Sequence, residues 1–136
     1  MAPLNLWLAI CKARREGGAR HWMLILAAKD AENGTWYHCS GGPTLNKPYT
    51  VEIVTKRVNS HGIESLYPIG EISDKDKNKV KSTVQNTSPK FCQRWVVDVL
   101  ADLERKGLVV AETSNTWYMA MENDPYSNDG APNLEY

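Results

Sequence analysis

His21-Trp22-Met23-Leu24-Ile25-Leu26 and, seventy residues on, Phe91-Cys92-Gln93-Arg94-Trp95-Val96-Val97 are the two stretches on which the fold turns. The first is apolar on both faces and runs on to Ala28, which predicts a strand in the middle of a sheet with a histidine at its mouth. The second follows the start signal Thr87-Ser88-Pro89 and carries Phe91, Trp95, Val96, Val99, Leu100 and Leu103 at helical spacing. It predicts an amphipathic helix running to about Lys106, stopped by Gly107.

Working outward, Leu4, Leu6, Leu8 and Ile10 alternate with their neighbours and predict a first strand before the His21–Ala28 strand. Asp30 to Gly34, with its Asn-Gly step, is expected to turn the chain into a third strand over Thr35–Ser40. Tyr49–Val58 alternates as a fourth strand, and an extended piece ends near Ile72. Ser73 and Asp76 have capping-box spacing for a polar helix to about Val84. Leu108–Ala111 and Trp117–Met121 are expected as edge strands. Strands followed by helices make an α+β fold, an antiparallel sheet packed on helices. Residues 1–121 are expected to form one catalytic domain. Residues 122–136, rich in Asn, Asp, Pro and Gly, are expected to be a disordered acidic tail.

The 136 residues are 42% hydrophobic and 24% charged, ordinary for a globular domain. Three cysteines, Cys11, Cys39 and Cys92, lack CxxC or Cys/His metal spacing, so neither a disulfide framework nor a metal or other cofactor is expected, and a reducing cytoplasm fits better. No apolar run has the length of a membrane span, and no secretion signal or lipid anchor is expected. The zero net charge is divided: residues 1–110 hold sixteen bases and eleven acids, and residues 111–136 hold five acids and no base. A body of charge +5 permits a polyanionic partner such as RNA. Arg14, Arg15 and Arg20, with Lys75, Lys77, Lys79 and Lys81, are the candidate phosphate contacts.

A thiol in the first turn of a helix sits in the field of unsatisfied N–H groups, which predicts a lowered pKa for Cys92. The competing reading is a small core hydrophobe. His21 and His38 begin and end strands of one predicted hairpin, so both fall at one end of the sheet. His21 is the candidate base and His38 the ring that orients it. Cys39 alternates to the opposite face from His38 and is left out of the site.

His-Trp before an apolar run, a strand ending in aromatic-x-His, and a helix opening Cys-x-x-aromatic-Val resemble the circularly permuted papain-like thiol enzymes. The pattern is similar to the lecithin:retinol acyltransferases and H-Ras-like suppressor acyltransferases and, further off, the NlpC/P60 amidases. The resemblance implies a permuted papain-like, NlpC/P60-like architecture in which His21 is the base, His38 orients it and Cys92 forms an acyl-thioester. Trp22 and Trp95, which flank the couple, are then assigned to the substrate cleft. The chain departs from the pattern in the seventeen residues between its histidines and in Phe91 before the cysteine, and the hydrophobic anchor of the lipid enzymes is not expected.

Size and layout also resemble the fungal arginine-containing cyclodipeptide synthases. That resemblance implies an aminoacyl-tRNA donor, an amino-acid or small-molecule acceptor, and acids such as Glu71 or Asp98 to hold a guanidinium. Three function classes stay open: a cysteine acyl (aminoacyl) transferase, a thiol amidase or peptidase, and a non-catalytic binding module on the same scaffold.

Overall fold

A computed structural model describes residues 3–12, 20–42, 47–58 and 62–122. Five strands, β1 Leu4–Cys11, β2 Trp22–Ala28, β3 Asn33–Gly42, β4 Lys47–Arg57 and β5 Ile63–Ile72, precede three helices, α1 Lys77–Asn86, α2 Cys92–Arg105 and α3 Thr113–Ala120. The sheet order is β4-β3-β2-β1-β5, with every neighbouring pair antiparallel. The all-apolar β2 is therefore the central strand, and the fold is α+β.

The alternation of β2 serves two cores. Trp22, Leu24 and Leu26 join Leu6, Leu8, Tyr37 and Cys39 beneath the helices, where Trp95, Val96, Val99, Leu100 and Leu103 of α2 and Val80 and Val84 of α1 close over them. Met23 and Ile25 pack with Ala9 and Trp36 in a second cluster. Burying large apolar side chains on both faces anchors β2 at roughly 1.5–3 kcal/mol per residue.

Local signals act partly as expected. Gly107 has φ +75° and ends α2 with the paired bonds Gly107 N–H to Glu104 O and Leu108 N–H to Leu103 O, a Schellman stop. The expected pairs Arg94–Asp98 (3.5 Å) and Asp102–Lys106 (3.0 Å) both form on α2. The β2–β3 turn is built differently: Asp30, at φ 62°, takes the left-handed position, and Asn33-Gly34 already belongs to β3. Gly34 is needed for closeness, since a Cβ there would lie 2.9 Å from Ala27 Cβ.

Three expectations are corrected. Ser73 makes no side-chain cap; it precedes a 3₁₀ turn, Asp74–Asp76, and α1 opens only at Lys77. Leu108–Ala111 and Trp117–Met121 are not strands: the first lies in turns and the second belongs largely to α3. Aromatic residues there suggest β structure, but packing decides otherwise: Trp117 meets Trp22 and Tyr67 edge-on, and the Arg94 guanidinium stacks over Tyr118. The domain boundary also shifts. Glu122, assigned to the tail, is hydrogen-bonded into the body through Gln93, while 123–136 lie outside the described residues. Among the described residues no helix is long and apolar enough to cross a membrane.

Candidate active site

β2 and β3 pair only over Leu24–Leu26 and Thr35–Tyr37. Beyond Tyr37, β3 stays with β4, and β2 loses its neighbour at the end that carries His21. The start of α2 takes its place. In a strand the backbone groups of alternate residues point to the same side; the His21 carbonyl accepts from Cys11 on β1, so Arg20 and Trp22 turn theirs toward the gap. The Cys92 sulfur receives the backbone N–H of Trp22 and that of Gln93. Its S–H points to the Arg20 carbonyl, with Sγ 3.9 Å from that oxygen. Cys92 thus straddles the backbone of the residue expected to be its base.

Cys92 is the first residue of α2, earlier than its spacing within the predicted helix implies. The expected acidic thiol is corrected. Burial pushes Cys92 up to about 11, outweighing the two N–H bonds that stabilise its thiolate. At neutral pH Cys92 is therefore a neutral thiol, and a base would be needed to ionise it.

The histidines meet. His21 Nε2 lies 3.3 Å from His38 Nδ1, with the rings nearly perpendicular. Glu52, directly opposite His38 across the β3–β4 ladder, brings Oε1 to 3.2 Å from His38 Nε2. Burial is the main influence on His38 and lowers its pKa, with Lys56 adding to the fall and Glu52 opposing it. A neutral His38 beside a carboxylate must place its proton on Nε2 and donate it to Glu52. Its Nδ1 then accepts from His21 Nε2–H, which leaves the proton-accepting lone pair of His21 on Nδ1.

Behind this chain lies a polar clamp. Gln93, fully buried, donates from Nε2 to the Arg20 carbonyl and to Glu122 Oε1, each at 2.9 Å, and its Oε1 accepts the Glu122 backbone N–H at 2.6 Å. Glu122 Oε1 also accepts the Arg20 backbone N–H at 2.9 Å. Outside, the Arg20 guanidinium is held by Glu64 at 2.6 Å and Glu122 at 3.7 Å.

Other candidates fall elsewhere. Trp22 and Trp95 are 2% and 0% exposed and belong to the core, so the cleft assignment is corrected. Glu71 stands opposite Asn5, while His21 neighbours Cys11 at the other end of β1. The six intervening steps put it about 20 Å from the site along the strand. Asp98 already holds Lys90 at 2.6 Å and Arg94 at 3.5 Å, and presents no spare charge to a guanidinium. Arg14 and Arg15 lie outside the described residues. Arg20 is engaged by its two glutamates, and Lys77 and Lys79 pair with Asp74 and Asp76, while Lys75 and Lys81 are exposed. Cys39 is buried in the helix-side core with its thiol raised by burial, and it lies near enough to Cys92 to help raise that thiol as well.

Glu52, Glu64, Gln93 and Glu122 are missed by sequence reasoning. Alternation within the fourth strand flags Glu52 only once its register against His38 is known. No local signal marks the others. Among the described residues no three His, Cys, Asp or Glu side chains gather as metal ligands would.

No curated protein and no solved structure matches the chain. A family model described as "Family of unknown function (DUF6540)" matches residues 6–110, a span that holds Cys92, His21, His38, Glu52 and Gln93. The chain belongs to the DUF6540 family.

Proposed function

We propose that this protein is a cysteine acyltransferase with a permuted papain-like architecture, making an amide through an acyl-S-Cys92 intermediate. The observation that carries the reading is the hydrogen-bond chain Glu52–His38–His21, ending on the residue whose flanking backbone holds the Cys92 sulfur.

In the proposed reaction the thiol turns from the Arg20 carbonyl and gives its proton to His21 Nδ1 as sulfur attacks the acyl carbonyl. The ester C–O bond breaks, and the departing oxygen takes that proton from His21. An acceptor amine then attacks the thioester, losing a proton to His21 as the C–S bond breaks, and the proton returns to sulfur. His38 keeps Nδ1 of His21 aimed and stabilises the imidazolium; Glu52 keeps His38 in the required tautomer. A half-buried, neutral thiol suits transfer, because it stays unreactive until a substrate supplies the occasion for proton removal.

The donor proposed is an aminoacyl-tRNA, as in the arginine-containing cyclodipeptide synthases that the sequence resembles. Support comes from the +5 charge of residues 1–110 and from Lys75 and Lys81 exposed around α1. Binding through phosphates is expected to weaken steeply between low and high salt, and charge reversal at Lys75 and Lys81 to weaken it further without altering Cys92 acylation by a small ester. RNase treatment of the reaction is expected to stop product formation. Undiminished product after RNase, from free amino acids or peptides alone, would reject the tRNA donor and favour the amidase.

A further inference from the structure

The geometry points to Gln93 and Glu122 as positioning residues of the Cys92–His21 couple: together they replace the missing strand beside residues 20–22 and fix the base-bearing backbone against the first turn of α2. This rests on the proposed role of Cys92 and His21 as nucleophile and base.

Hydrogen-bond partners carry the assignment. Where β3 leaves β2, the Arg20 N–H, the Arg20 C=O and the Trp22 N–H lose their strand partner. Three side chains take them over: Glu122 accepts the first, Gln93 donates to the second, and Cys92 accepts the third. Gln93 and Glu122 also bind each other through two further bonds. A fully buried amide satisfied in this way is held in one orientation, since releasing it would leave buried donors and an acceptor unpaired. Gln93 follows Cys92 directly and Arg20 precedes His21 directly, so fixing one pair fixes the other. Glu122 follows α3, and the couple is therefore set only once α3 has docked on α2.

The role belongs to the acceptor oxygen of Glu122 and not to its charge. Its ion pair with the Arg20 guanidinium is long, at 3.7 Å, and both side chains are more than a third exposed, so screening leaves it little weight. A glutamine side chain at the same position keeps an oxygen that could accept the same two N–H groups.

The test uses acylation of Cys92 by 4-nitrophenyl acetate against pH, in the full chain. The groups that titrate or carry charge about the couple are Cys11 and Cys39 near the thiol, Glu52 and Lys56 about His38, and Glu64 on Arg20. The parent is expected to show a rate that levels off once His21 is neutral, and His21→Ala to lack that plateau. Glu122→Ala and Gln93→Met are expected to lower the plateau at least about tenfold, as small misplacements of a base do. Glu122→Gln is expected to restore the parent rate. Glu122→Ala alters a partly exposed side chain and keeps the test open if Gln93→Met does not fold. A plateau retained in Glu122→Ala but lost in His21→Ala overturns the positioning role and leaves the catalytic couple standing. Glu122→Gln behaving like Glu122→Ala also overturns it. A parent without any His21-dependent plateau rejects the couple itself, and the clamp's role with it.

Discussion

His21→Ala is expected to slow acylation of Cys92 at pH 7 by roughly 10²–10⁴-fold, the usual worth of a positioned general base. The reason lies in the thiol. Burial holds Cys92 up at about 11, so at neutral pH very little thiolate exists and the uncatalysed route is nearly closed. The pH profile carries the sign. A general base works only when unprotonated, so the parent rate should climb as His21 loses its proton and then level. A second rise should follow as the thiol itself ionises toward pH 11. His21→Ala should erase the plateau and keep the upper rise. His38→Ala should lose less, because His21 would keep its imidazole while losing its acceptor for Nε2–H. Stopped-flow release of 4-nitrophenolate measures all three, with Cys92→Ala as the blank. Equal rates for parent and His21→Ala at pH 7 would remove histidine from the chemistry.

The second large effect concerns stability. Trp95→Ala is expected to cost about 3–5 kcal/mol in urea unfolding, the usual range for deleting a large buried aromatic. Trp95 is fully buried against the β2 face, and its indole N–H has no hydrogen-bond partner among the described residues. Trp95→Phe should therefore cost much less than its lost volume suggests, because it removes an orphan donor along with the second ring. A cleft role would give the reverse pattern: both variants would stay stable and acylation would fall. Unfolding midpoints close to the parent for Trp95→Ala would contradict the core assignment.

What is legible in the sequence is what depends on residues close along the chain. β2 declares its central place through Trp22–Ala28, apolar on both faces, and α2 through a stripe at helical spacing closed by Gly107. Cys92 and His21 stand out because each sits at the start of such an element, where periodicity gives way to a chemically distinct residue; His38, expected to close its strand, lies inside β3. α3 reads wrongly as a strand because Trp117, Tyr118 and Met119 favour strands in isolation, whereas their conformation is set by Trp22, Tyr67 and Arg94 from distant parts of the chain. Gln93 and Glu122 are invisible for the same reason: the bonds that define them join residues 29, 73 and 102 positions apart. The pKa of Cys92 moves opposite to the expectation because a helix start is a local feature and burial is not. The N–H groups act on the thiol as foreseen, but desolvation is the larger influence.

The proposed acyl-accepting nucleophile is Cys92, served by His21 and His38. Its most direct test is acid quenching within the first turnover with an acyl donor, followed by peptide mass mapping of the three cysteines. The expected result is one hydroxylamine-sensitive acyl group on Cys92, none on Cys11 or Cys39, and no thioester in Cys92→Ala. An acyl group spread over the three thiols, or one that persists in Cys92→Ala, would contradict it.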